Sequence, residues 1–159
     1  MRSLLVAFAL ALLPLGCATH YIPNTDVEET ELNRSVIEFC EQYRRAVELR
    51  NVGQLMKFAD PSYYEDGGSV DTSDDHDYAG LKEFLEGEFR KAKAIRYEIR
   101  YRQVTAGRRN DSIFVDYTYT ASYKVPTTAD GEDVWRREVA DNRLELVRSG
   151  ESFKIVAGM

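Results

Sequence analysis

The spacing of apolar residues changes period once along this chain, near residue 94, and that change restricts the fold more than any other feature. From Glu28 to about Arg50, Val36, Ile37, Cys40, Tyr43 and Val47 recur at intervals of three and four, which predicts an amphipathic helix of about six turns. Asn51 to Gly53 break it, and Leu55, Met56 and Phe58 suggest a second short helix ended by Asp60-Pro61. Ser62 to Asp66 reads as a short strand before the Gly67-Gly68 turn. Asp77 is placed to cap a helix from about Tyr78 to Lys93, marked by Leu81, Phe84, Leu85, Phe89 and Ala92. Then the period becomes two. Ile95, Tyr97, Ile99 and Tyr101 alternate with Arg96, Glu98, Arg100 and Arg102, the pattern of a strand with one buried and one wet face. Ile113 to Tyr123 and Glu132 to Val147 continue the pattern, the latter with a bend or bulge expected near Asp141-Asn142 so that both Trp135 and Leu144 can be buried, and Ser152 to Ala157 closes the sheet. Helices first and an antiparallel meander afterwards define an α+β fold.

The first residues are of a different kind. Arg2 precedes an apolar run from Leu4 to Leu13, which breaks at Pro14 before Leu15, Gly16 and Cys17. About ten apolar residues are too few to cross a ~30 Å hydrocarbon core and suit the h-region of an export signal. Gly16-Cys17 resembles the end of a bacterial lipobox, which implies cleavage after Gly16 and lipidation of Cys17. Plain secretion, with cleavage near Ala18, is the alternative, and a buried core segment a more distant one. Residues 1–16 are thus expected to be a signal peptide, 17–26 a lipidated cysteine and tether, and 27–159 a single domain of ordinary size. Ala18 rather than Asp follows the cysteine, so the resemblance to sorted lipoproteins implies an outer-membrane protein facing the periplasm.

Composition excludes several functions. The hydrophobic content of 43% is that of a packed domain. Losing Arg2 with the leader takes the net charge from −6 to −7, which disfavours phosphate backbones and hence nucleic acid. With Cys17 acylated, Cys40 has no intramolecular partner, and no disulfide framework is expected. No metal or cofactor is expected either. Asp71, Ser73, Asp75 and Asp77 imitate the start of a calcium loop, but His76 and Lys82 occupy the positions that need Gly and Glu. A Cys40, His76, Asp triad can be drawn, yet Cys40 lies on the buried stripe of its helix, where free cysteine behaves as a small hydrophobe.

The order of elements, with FCEQYRRAVELRNVGQLMKFADPSYYEDGG early and LELVRSGESFKIVAGM at the end, resembles the NTF2-like superfamily, which includes ketosteroid isomerases and SnoaL-type cyclases. The resemblance implies a cystatin-like cone: a long N-terminal helix and two shorter ones packed on a curved antiparallel sheet. Set beside the ketosteroid isomerases, Tyr43 falls at the oxyanion tyrosine and Asp66 at the proton-shuttling carboxylate, with Asp141 the nearest counterpart of a late-strand acid. That trio would run a cofactor-free proton transfer alpha to a carbonyl. Each residue also has an ordinary reading, Tyr43 as core and Asp66 as a turn former before two glycines. Tyr101, Tyr119, Tyr123 and Trp135 could line a pocket for an amphipathic ligand, if their face of the sheet is concave. Three functions follow: a membrane-tethered domain that binds a small amphipathic ligand or envelope partner without catalysis, an isomerase, cyclase or dehydratase using Asp66 and Tyr43, and a dimerising interaction subunit with a filled cone. The charged sheet face reads most simply as a solvated surface, but the resemblance implies that it can also serve for dimers, which leaves a homodimer open.

Overall fold

A computed structural model describes residues 19–67, 75–107, 112–127 and 131–159. The expected signal peptide, Cys17 and the Asp71 and Ser73 positions of the calcium-like loop lie outside them. Helix α1 spans Glu31–Glu48, shorter at both ends than its apolar pattern, because Thr30 accepts a hydrogen bond from Asn33 N–H and caps it. Its far end stops at Arg50, which takes a left-handed φ of 53°, and Asn51 then caps α2 (Val52–Phe58) through its side-chain oxygen. A two-stranded ribbon of β1 (Tyr64–Glu65) and β2 (His76–Asp77) precedes α3 (Tyr78–Lys91), capped by Asp77 as its position predicts.

The main sheet is antiparallel in the order β3 (Ala94–Ala106), β4 (Ile113–Pro126), β5 (Asp133–Ser149) and β6 (Ser152–Ala157). Its inner face carries Tyr97, Tyr101, Val115, Tyr117, Leu144 and Leu146 against Val36, Cys40 and Tyr43 of α1. Phe39 of α1 meets Phe58 of α2 and Phe153 of β6 edge-on, at centroid distances of 5.3 and 5.7 Å, and so ties both helices to the last strand. The three helices and curved sheet agree with the α+β expectation.

The expected bulge at Asp141-Asn142 is absent. Pairing between β4 and β5 runs without interruption from Ile113↔Leu146 to Pro126↔Asp133. The irregularities fall elsewhere: β3 and β4 slip between Tyr101 and Gln103, leaving Arg102 as the extra residue, and β5 and β6 slip between Glu145 and Leu146. Alternation cannot bury Trp135 and Leu144 together, and the structure resolves the conflict by exposing Trp135 to 47%.

The segment expected as a tether is partly built into the domain. Glu29 N–H donates to His20 C=O, Ile22 N–H to Val27 C=O and Asp26 N–H to Tyr101 C=O, with Val27 buried. Arg100 and Arg102 both bind the Asp26 carboxylate, at 2.6 and 2.9 Å. Hydrogen bonding from Arg100, then from Arg102, holds that carboxyl below its ordinary value. Because the folded value is the lower one, the clip is fully formed above the ordinary 3.8 and is lost as pH falls through the folded value. Amide exchange should therefore show Asp26 N–H losing protection in that acid range, after correction for intrinsic rate. Arg100→Ala should remove much of the same protection at neutral pH.

Candidate functional site

Tyr43 on α1, Tyr97 on β3 and Tyr117 on β4 meet beneath the long helix, all buried. Burial raises each phenol's pKa, most plainly at Tyr43 and Tyr117, and hydrogen bonding links Tyr117 to both of the others. These groups are neutral throughout the physiological range. They can donate a hydrogen bond but cannot serve as bases. Asn142 of β5 donates from Nδ2 to the Tyr117 hydroxyl at 3.1 Å and to Gly158 C=O at 3.3 Å. Gly158 N–H in turn donates to Glu65 Oε2 at 2.6 Å, and Met159 N–H donates to the Tyr63 hydroxyl, whose pKa burial pushes up to about 12. The C-terminus can lie this close only because residue 158 is glycine: its φ is +88°, and a Cβ there would stand 1.9 Å from Arg143 C=O. A polar path thus runs from Tyr43 through Tyr117 and Asn142 to the half-buried Glu65.

The two carboxylates matched to the isomerase pattern lie off this path. Around β1, Tyr63 is buried, Tyr64 exposed, Glu65 half-buried and Asp66 exposed, so alternation turns Glu65 inward and Asp66 outward. Asp141 is on the outer face of β5, where it accepts a hydrogen bond from the Thr118 hydroxyl at 2.6 Å. It belongs to an open depression lined by Arg102, Asp116 and Arg143, with Arg143 paired to Asp116. The sheet itself separates Asp141 from Tyr43. At both places the inward residue is the immediate neighbour, Glu65 or Asn142, and sequence reasoning missed it. Parity could have found Asn142, since Leu144 two residues on is an evident core position.

The tyrosines proposed as pocket lining divide three ways. Tyr101 is core, its hydroxyl donating to Glu41 at 3.0 Å while Arg44 holds the other oxygen of the same carboxylate. Trp135 is on the outer face beneath the Arg96 guanidinium, 4.8 Å from the ring centroid, and so on the opposite side of the sheet from Tyr119 and Tyr123. Tyr119 and Tyr123 remain half-exposed on the inner face, where β4 and β5 run on beyond the buried stack. The Tyr119 ring leans on Tyr97 at 5.5 Å and its hydroxyl donates to Glu138 at 2.7 Å. With Ala121 and the exposed Val134, these two form an amphipathic patch on the inner face, where β5 sets Glu138 opposite Ala121 and Arg136 opposite Tyr123.

The remaining reactive groups have other occupations. Burial raises the Cys40 thiol pKa far above its usual range, which leaves it inert as a nucleophile. His76 stacks on Phe84 at 4.8 Å. Asp75 accepts from the Tyr64 hydroxyl and Asp77 caps α3. Among the described residues no cluster of three or more His, Cys, Asp or Glu could hold a metal ion, and no helix is long and apolar enough to cross a membrane.

This helix-on-curved-sheet arrangement is the NTF2-like, cystatin-like fold. No protein-family model and no curated protein matches the chain. Solved structures do. The Kfla4162 protein of Kribbella flavida is similar at a TM-score of 0.64 and 17% identity, over 79% of this chain and 86% of that one. ActVI-ORFA from Streptomyces coelicolor is similar at 0.62 and 15%, over 80% and 94%. A protein with a cystatin-like fold from Caulobacter vibrioides is similar at 0.60 and 12%, over 81% and 87%. Identities this low carry the fold alone.

Proposed function

We propose that this chain is a periplasm-facing outer-membrane lipoprotein, anchored through Cys17, whose NTF2-like domain binds a small amphipathic ligand or an envelope partner and does not turn it over. The observation that supports the binding role is the accessible inner-face patch of Tyr119, Ala121, Tyr123 and Val134, which offers aromatic surface beside the Glu138 carboxylate and the Arg136 guanidinium. Such a surface suits a molecule with an apolar body and a polar end. The outward placement of Asp66 and the sheet between Asp141 and Tyr43 weigh against an assembled proton-transfer trio.

Native mass spectrometry of the gently extracted full chain tests this reading. A bound amphiphile should appear as added mass, and Tyr123→Asp, which places a charge in the patch without disturbing the core, should reduce its occupancy at least tenfold. Full occupancy in Tyr123→Asp, or no bound or bindable amphiphile in the parent chain, would refute the ligand reading.

A further inference from the structure

Strand β5 is much longer than the strand that closes the sheet beside it. β6 pairs with Glu145–Ser149 and the C-terminus covers Arg143, so from Asp133 to Asp141 β5 has β4 on one side and no described strand on the other. Hydrogen-bond parity fixes which groups that edge presents. Thr127 N–H donates to Glu132 C=O at 3.0 Å, and from the next residues onward β4 pairs with β5 without a slip. Bonded pairs alternate with unbonded ones in an antiparallel ladder, so Arg136 and Glu138 turn their backbone groups toward β4 while Trp135, Arg137 and Val139 turn theirs to the open edge. Free N–H and C=O groups thus recur at every second residue, about 7 Å apart, which is the repeat of an extended peptide.

The side chains along the edge define the kind of peptide that fits. Trp135 and Val139 are exposed on the outer face, to 47% and 56%. Between them Arg137 is on the same face and Arg136 on the inner one, and among the described residues neither guanidinium has an ion pair or a hydrogen bond. The acids of this stretch are engaged: Asp133 holds Lys93 and Lys124, Glu138 receives the Tyr119 hydroxyl and Asp141 the Thr118 hydroxyl. An added antiparallel strand sets its residues directly opposite those of β5 and on the same faces, where opposite charges stabilise a pair and like charges oppose it. Opposite Val139, Glu138, Arg137, Arg136 and Trp135, taken in the partner's chain direction, the fitting order is apolar, non-acidic, acidic, acidic, apolar. A strand of that length ends short of Arg143 and of the C-terminus lying against it.

We propose that the open edge of β5, from Trp135 to Val139, takes up an extended acidic segment of a partner protein as an added strand of the main sheet. The proposal rests neither on the lipid anchor nor on the aromatic patch. The probe is the blocked peptide Thr-Val-Thr-Glu-Glu-Val-Thr, titrated calorimetrically into the full chain in a neutral detergent and followed by amide exchange. In the saturated complex the N–H groups of Trp135, Arg137 and Val139 should exchange at least about tenfold more slowly, while those of Arg136 and Glu138, already bonded to β4, should not change. Methylating the peptide nitrogen opposite Arg137, which faces β5, should weaken binding about tenfold or more, and methylating the next nitrogen, which faces away, should weaken it far less. Arg137→Glu should lose the peptide, and a lysine at the peptide position facing it should recover binding. A parent chain that does not bind the peptide overturns the proposal. So does binding that treats the two methylations alike, leaves the three edge amides unprotected or gains nothing from the lysine exchange, since charge attraction alone would account for it. An edge already protected in the chain alone, together with a dimer in sedimentation, overturns it by giving the edge to a second copy.

Discussion

Tyr117→Ala is expected to cost about 3–5 kcal/mol of folding stability, the range for removing a large buried aromatic. Tyr117 is 1% exposed at the centre of the inner sheet face. It is packed between Val115, Tyr119 and α1, and its hydroxyl receives Asn142. Against a total of about 5–15 kcal/mol for a domain of this size, that loss should lower the melting temperature by on the order of 10–20 °C. Urea denaturation with an unchanged slope is the measurement. Tyr117→Phe separates the packing from the polar path. It keeps the ring but leaves buried partners on Tyr43, Tyr97 and Asn142 unmatched, and should cost about 1–2 kcal/mol. A phenylalanine variant as stable as the parent would show that the phenol network contributes no net stability, and an alanine variant losing under 1 kcal/mol would show that the core is not centred here.

The same residues show what the sequence could and could not reveal. The buried stripe of α1 and the inner faces of β3 and β4 were legible because each apolar residue there repeats at its element's own period, and Asp77 was legible as a cap from position alone. The site was less so. Which face a strand residue occupies depends on its pairing partners, and an error of one position reverses it. At both β1 and β5 the residue on the buried path, Glu65 or Asn142, is one position away from the residue the resemblance matched, Asp66 or Asp141. In β5 the cause is specific: Arg136 and Glu138 on the inner face and Arg137 and Asp141 on the outer face leave no hydrophobic alternation to read before Leu144. Nor could the Trp135 ring announce that it would lie on the outer face under Arg96, since an aromatic in a strand is ordinarily taken for core. The bulge at Arg102 has no marker in composition; it shows only in the pairing of β3 with β4.

Cys17→Ala should abolish incorporation of labelled fatty acid and release the chain from the membrane fraction, an all-or-none change, because in the proposed lipoprotein one residue carries the whole anchor. Stable anchoring needs more than one acyl chain, as a single one binds only marginally, so a partly modified chain should already partition poorly. Retained label in Cys17→Ala would refute the lipoprotein assignment, while loss of membrane association in a chain that never took label would point to plain secretion. The built-in segment makes the prediction sharper than the sequence allowed. A tether reaching Asp26 would let the domain range roughly 30 Å from the bilayer, at about 3.5 Å per residue. Since the backbone is already fixed at His20, by its bond from Glu29, three residue steps to Cys17 allow a reach of at most about 10 Å. Tyr21, 56% exposed beside that point, would then sit at or near the lipid surface, where an aromatic ring with a polar tip is well placed. Quenching by lipids labelled in the headgroup region should therefore reach a tryptophan placed at Tyr21, with Trp135 replaced by phenylalanine, far better than it reaches the native Trp135. Equal quenching at the two sites would mean that the domain hangs on a longer leash than the Asp26 clip permits.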